Sequence, residues 1–194
     1  MKAESGKRPP LYRVRQSKIH GRGVFAARRI RKGTRIIEYV GERVTHAEAD
    51  RRYEDRPADD NHTFLFIVDA RTVIDAGVGG NAARFINHAC DPNCETVTEE
   101  RRIYIEAIKT IQPGVELSYD YQIQREPGDP PEVDEIFACR CGAPDCRGTM
   151  LTGPRPTRKR KAPAKSRSKS KAKGKGKAAA RPERHAHGRS AHKR

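Results

Sequence analysis

The chain has 194 residues, with 41 Lys and Arg against 25 Asp and Glu and a formal net charge of +16. That length suffices for one domain with a real core, no apolar run approaches a membrane span, and the opening MKAESGKRPP is not an export signal. The charge is unevenly placed: residues 151–194 hold 17 Lys/Arg and one acid, Glu183, whereas residues 1–150 hold 24 of each, so a neutral body bears a cationic tail.

Patterning along the chain predicts a mostly β body with few helices. Strands are expected at LYRVRQ (11–16), GVFAA (23–27) and RIIEYV (35–40). THAEADRRYED (45–55) carries a helix start signal, with Thr45 as N-cap and Glu48 at the capping-box position. TFLFIVD (63–69) and TVIDA (72–76) predict a hairpin turning at Asp69-Ala70-Arg71. RRIYIEAI (101–108) alternates, with Ile103, Ile105 and Ala107 on one face, and VELSYDY (115–121) follows the Pro113-Gly114 turn as another strand. REPGDPPEVDE (125–135) is an acidic, Pro-rich connector. Beyond 153 almost no apolar side chain exceeds Ala, so the tail is expected to be disordered and to bind DNA or RNA through phosphates without sequence choice.

Two stretches do not fit any regular element. CRCGAPDC (139–146) spaces Cys139, Cys141 and Cys146 as C-x-C-x4-C. Three thiolates so close suit a tetrahedral zinc site that takes a fourth ligand from elsewhere. The remaining cysteines, Cys90 and Cys94, both lie in RFINHACDPNC (84–94), and spacing alone does not choose between them. HGRGVFA (20–26) has two glycines two apart, which lets backbone approach a ligand closely. No hydrophobic strand precedes it and no strand–helix alternation follows, which argues against a doubly wound dinucleotide fold. Tyr119 and Tyr121 would share one face of their strand, and Tyr39 is a third phenol able to line a pocket.

Taken in order, GRGVFA, EYVGE, RFINHACDPNC, ELSYDY and CRCGAPDCRG resemble the SET-domain protein lysine methyltransferases that carry a post-SET zinc module, over roughly residues 11–151. The resemblance implies small β-sheets around a knot-like crossing. It divides the chain into a flexible N-terminus (1–10), a SET domain (11–123), a linker with the zinc module (124–152) and the tail (153–194). It implies S-adenosylmethionine as co-substrate, held by Gly21, Arg22 and Gly23 with Asn87 and His88, and with Arg84 structural or beside it. Phe137 and Leu151 are expected in the flap, where it covers the adenine and one wall of the lysine channel. It names Cys90 as the fourth zinc ligand beside Cys139, Cys141 and Cys146, leaving Cys94 spare. Tyr121 is then the catalytic tyrosine, Tyr39 lines the site opposite it, and Tyr119 disfavours transfers beyond the first methyl. Ala89 stands where the family usually has Ser, Ser118 where Thr is frequent, and no cysteine precedes residue 90 to form a pre-SET cluster. The expected substrate is a lysine of a histone, a histone-like or another basic protein, modified by a monomeric enzyme in the nucleus or the bacterial nucleoid. A ribosomal target, or a non-enzymatic nucleic-acid-compacting protein built on a degenerate SET body, is the alternative.

Overall fold

The computed structural model describes residues 10–55, 63–130 and 132–154. The predicted tail and N-terminus therefore lie outside the described residues, apart from Pro10 and residues 153–154. Among the described residues no helix is long and apolar enough to cross a membrane.

The body is built from small sheets. Strands β1 (Tyr12–Gln16) and β2 (Arg22–Ala26) pair antiparallel about the turn that contains Gly21, with Gly23 just inside β2. β3 (Arg35–Tyr39) belongs to a second sheet. β4 (Glu42–Val44), the helix α1 (His46–Tyr53), β5 (Leu65–Asp69) and β6 (Thr72–Asp75) come next, and the three strands form a sheet in the order β4-β6-β5. The capping prediction holds: Thr45 Oγ1 accepts from the Glu48 amide at 3.2 Å, and Arg51 and Arg52 occupy the last turn, where cations suit the helix dipole. Asp75, 2% exposed, takes bonds from Tyr53 Oη and Arg52 Nη1, both at 3.0 Å, and so ties α1 to its sheet.

A 3-10 turn, Ala82–Phe85, leads into β7 (Asn87–His88). β8 (Cys94–Glu99) and β9 (Arg102–Ala107) then form a hairpin, and β9 sits between β3 and β8. The alternation predicted for 101–108 is realised, with Ile103 and Ile105 fully buried and Ala107 nearly so. The remaining elements are β10 (Ser118–Tyr119), β11 (Ile123–Gln124), α2 (Val133–Ile136) and β12 (Leu151–Thr152). β10 pairs in parallel with β7, so the polar segment and the tyrosine segment lie side by side although β8 and β9 separate them in sequence. This is the expected crossing.

Two apolar clusters matter for the site. The main core joins all the larger sheets around Tyr39, Phe66, Ile86, Ile103, Leu117 and Tyr119. A smaller one, Ile123, Val133, Phe137 and Leu151, glues the C-terminal flap to the body through Tyr121 and Met150. β11 and β12 close this flap with a short parallel pairing, Ile123 opposite Leu151.

Candidate active site

The glycine turn is held from beneath by one carboxylate. Glu116 accepts from Ser17 Oγ at 2.8 and 2.9 Å and from Asn87 Nδ2 at 2.8 Å. Asn87 Nδ2 also lies 3.2 Å from the His20 carbonyl and 3.1 Å from that of Arg22. The turn, the polar segment and the strand after Pro113-Gly114 thus meet at one node. The glycines have separate reasons. Gly21 has φ +46, a left-handed conformation that disfavours a side chain, and a Cβ there would meet nothing within 4 Å. Gly23 lies within β2, and a Cβ there would stand 2.3 Å from Glu116 Oε1.

The segment 84–94 is polar because it is buried against other backbone. Asn93 Nδ2 donates to the Glu116 carbonyl at 2.8 Å, and its Oδ1 accepts from the Ser118 amide at 3.0 Å. His88, 3% exposed, accepts through Nδ1 from the Tyr121 amide at 3.1 Å, with its other nitrogen, Nε2, 3.5 Å from Cys90 Sγ. An Nδ1 acceptor implies that Nε2 carries the hydrogen, so the ring links the tyrosine strand to a cysteine sulfur. Tyr121 Oη donates to the Ile86 carbonyl at 2.8 Å, and its ring stands 5.0 Å from that of Tyr119. Tyr39 Oη donates to the Phe64 carbonyl at 2.9 Å. Burial lifts all three phenols above their ordinary value of 10.0, so each remains protonated at neutral pH.

Asn87, His88 and Tyr121 of these groups border a cavity of about 770 Å³, large enough for a nucleoside-sized ligand. Gly21 and Arg22 form one side, Phe64, Arg84 and Phe85 another, Asn87, His88 and Tyr121 the floor, and Phe137 of the flap the far side. Both guanidinium groups sit over the Phe85 ring, Arg22 at 3.7 Å and Arg84 at 4.7 Å. Arg84 Nη1 donates to the Ala76 carbonyl at 2.8 Å, while its Nε is buried with no hydrogen-bond partner among the described residues. A buried, unsatisfied guanidinium donor in a cavity wall suits a ligand carboxylate.

Beside the cavity, the Sγ atoms of Cys90, Cys139, Cys141 and Cys146 all lie within 4.8 Å of one another. Cys90 Sγ is 3.7 Å from Cys139 Sγ and 3.9 Å from Cys146 Sγ. Tetrahedral zinc with Zn–S bonds of ~2.3 Å has sulfur–sulfur edges of ~3.8 Å, so the donor set fits one structural zinc ion. Backbone amides support the sulfurs, Arg147 N to Cys90 Sγ and Gly148 N to Cys146 Sγ, both at 3.4 Å. Arg147 also clasps Asp120 through two bonds of 2.7 and 2.9 Å, fastening the flap beside Tyr121.

A family model of the SET domain matches residues 21–122. The chain belongs to the SET-domain family. It is 43% identical over 150 residues to the histone-lysine N-methyltransferase, H3 lysine-4 specific, of Saccharomyces cerevisiae, covering 74% of this chain and 13% of that protein. It is 40% identical over 139 residues to the histone-lysine N-methyltransferase trr of Drosophila melanogaster, covering 70% of this chain and 6% of that one. Among solved structures, ctPRC2 in an autoinhibited conformation bound to S-adenosylmethionine aligns over 58% of this chain and 15% of its own, with a TM-score of 0.53 and 35% identity. The chain thus spans a small part of these longer proteins.

Within this SET domain, the structure gathers most of the residues picked out in the sequence. Gly21, Arg22, Arg84, Asn87, His88, Tyr121 and Phe137 all border the cavity. Gly23, Leu151, Tyr39 and Tyr119 are not among its lining. Gly23 backs onto Glu116, Leu151 packs under the flap, and Tyr39 and Tyr119 are core residues behind Tyr121. Asn87 differs from expectation in one respect, because its side-chain donor is already used on protein acceptors. The cysteine ambiguity resolves: Cys90 joins the cluster, whereas Cys94 is 1% exposed in β8 with its thiol pushed up to about 12 by burial. Glu116 and Arg147 were missed. Their partners are distant in sequence, so no local pattern marks either one.

Proposed function

We propose that this chain is an S-adenosylmethionine-dependent protein-lysine N-methyltransferase whose substrate is a histone lysine in chromatin. The carrying observation is the cavity itself, with the glycine turn on one side, the zinc-binding flap on the other, and the Tyr121 hydroxyl held between them. The division into a catalytic domain over 11–123 and a zinc module over 124–152 is part of the same reading. The names of the relatives support the histone substrate and a nuclear setting.

S-adenosylmethionine, when bound, supplies an electrophilic methyl group on a sulfonium. The protein's part is placement. Arg84 Nε would receive the carboxylate of the methionyl end, with Arg22 adding positive charge nearby. Gly21 lets the turn take its left-handed backbone beside the cavity. Asn87 acts through the turn, tying the His20 and Arg22 carbonyls to Glu116, and His88 and Phe137 would flank the adenine.

The attacking lysine has an ordinary pKa of ~10.4 and must arrive neutral. A buried approach beside a sulfonium disfavours its charged form. Because burial keeps Tyr39, Tyr119 and Tyr121 protonated, none of them is the base, and the proton leaves to solvent. Tyr121, anchored on the Ile86 carbonyl, fixes the direction of the amine lone pair, and in-line placement then supplies the rate. Tyr119, packed on Tyr121, limits the space for a methylated amine, so monomethyl-lysine is the main product.

The test is transfer of labelled methyl from S-adenosylmethionine to core histones and to recombinant nucleosomes, with product mass spectra. Labelled lysine that disappears with Tyr121→Phe supports the reading. No transfer to any histone by zinc-loaded, cofactor-binding protein would refute it.

A further inference from the structure

The neutral charge of the body conceals a strong segregation. Residues 1–37 contain twelve Lys/Arg and one acid, Glu4, a net +11, whereas residues 38–150 contain twelve Lys/Arg and twenty-three Asp/Glu, a net −11. No acid occurs from residue 5 to residue 37.

Ion pairing follows the same divide. In the acidic part, Arg52, Arg102, Lys109, Arg125 and Arg147 each hold a carboxylate. In the basic part, Arg35 is paired with Glu99 and Glu106, and Arg22 is spent on Phe85. Lys2, Lys7 and Arg8 lie outside the described residues; the others, Arg13, Arg15 and Lys18 on β1 and its turn and Arg28, Arg29, Arg31 and Lys32 between β2 and β3, are all exposed. None of them has an ion pair among the described residues.

They are also arranged together. Arg13 and Arg15 stand two apart on β1 and so share a face. Among the described residues β1 pairs with β2 alone. The Ala27 amide bonds the Leu11 carbonyl at 2.9 Å, which brings Arg28 and Arg29 to the start of β1, while Lys18 lies just past its end. At ~3.3 Å per strand residue β1 from Tyr12 to Gln16 runs roughly 13 Å, with Arg28 and Arg29 near one end and Lys18 past the other. Duplex nucleic acid presents about one charge per 1.7 Å of its axis, so a row of this length faces several phosphates.

We infer that this face, formed by β1 and the β2–β3 connection, is a docking surface for the phosphate backbone of double-stranded nucleic acid, separate from the basic tail. Exposed guanidinium groups without internal carboxylates are poised to replace condensed counterions. Arg13 and Arg15 stand on the strand and the other cations flank it, which suits phosphate contact rather than base stacking. The turn that continues β1 borders the cavity through Ile19, His20 and Gly21, so a bound duplex would lie on the cavity's side of the body.

The test uses the full chain with Arg13→Gln, Arg15→Gln, Arg28→Gln, Arg29→Gln, Arg31→Gln and Lys32→Gln together, against a matched variant with six tail lysines changed to Gln. Affinity for a random-sequence duplex is measured at ~50 and ~200 mM salt, where each phosphate contact contributes about 0.9 to the logarithmic slope. Loss of four contacts shrinks the ratio of the two Kd values about 150-fold relative to wild type. If only the tail variant shows such a change, the inference is overturned. It is equally overturned if poly-glutamate competes as well as duplex does, because the face then suits acidic proteins. Should the sixfold variant melt early, cross-linking of wild-type protein to duplex decides. Cross-linked peptides from 11–18 and 28–32 support the surface, and cross-links confined to residues beyond 153 refute it.

Discussion

A double-mutant cycle at Gly23 and Glu116 tests whether the node beneath the glycine turn shapes the cofactor site. Gly23→Ala would place a Cβ 2.3 Å from Glu116 Oε1 and 2.8 Å from Cδ. The carboxylate would have to leave, and with it the bonds from Ser17 Oγ and Asn87 Nδ2. Hydrogen bonds to charged groups are worth ~1.5–3 kcal/mol each, and halving the sum of the two for partial exposure gives a loss of ~1.5–3 kcal/mol. Glu116→Ala removes the same bonds and should cost about the same. At roughly 3 °C per kcal/mol, either single variant melts ~5–9 °C lower. The two changes should not add. With the carboxylate gone, alanine at 23 meets only Ser17 Cβ at 3.0 Å, and because Gly23 lies in a strand its backbone needs no left-handed conformation. The second change should then cost under ~1 kcal/mol, a coupling of about 2 kcal/mol. Calorimetric melting measures the cycle, and titration with S-adenosylhomocysteine measures the site, where all three variants should bind at least ~10-fold more weakly, or ~1.4 kcal/mol. Additive losses of stability would refute the shared node. Lowered melting with unchanged binding would show that Glu116 braces the fold without shaping the turn.

Other outcomes follow from the site. Metal analysis should find one zinc per chain, lost in Cys90→Ser and kept in Cys94→Ser, and chelation should loosen the flap and abolish methyl transfer together. In the native zinc form, Cys94 should resist alkylation at neutral pH, because its thiol is buried and shifted to about 12; rapid labelling there would contradict its place in β8. Tyr121→Phe should cut turnover by more than about tenfold, ~1.4 kcal/mol, with cofactor affinity retained, and near-normal turnover would remove its positioning role. Tyr119→Phe should shift the product towards di- and trimethyl-lysine without slowing the first transfer, and dominant trimethyl-lysine from wild type would overturn the monomethyl reading.

Much of the fold was legible where local chemistry determines it. Thr45 and Glu48 marked α1, Asp69-Ala70-Arg71 marked a hairpin, and the alternation over 101–108 marked β9. The strand β8 was not seen because its hairpin partner begins after Glu100 and Arg101, which adopt φ 47 and 63 without the Gly, Asn or Asp that signals such a turn. The strand expected over 115–121 shrinks to Ser118–Tyr119, because residues 115–117 bond β2 instead, Leu117 N donating to the Val24 carbonyl at 2.7 Å, and the Tyr121 amide goes to His88 Nδ1. In the connector, α2 has no side-chain cap to announce it. The zinc ligands were readable down to one ambiguity, since three are local in sequence. The node at Glu116 was not, because Ser17 and Asn87 lie 99 and 29 positions away.

The two-residue pairing of β7 with β10 also governs how the molecule comes into being. It joins segments on either side of the β8–β9 hairpin, in parallel, and a folded hairpin shortens the loop that this pairing must close. Parallel, non-local pairings are late events, since the loop must be closed before any contact rewards it. Asn87, His88 and Tyr119 all sit on this pairing, and Tyr121 hangs from it through His88. The pocket is therefore not assembled piecemeal on a folding chain. In stopped-flow refolding, a fluorescent cofactor analogue should gain its bound signal only in the slowest phase, after most strand structure has formed, and unfolding should release it in one step with the crossing.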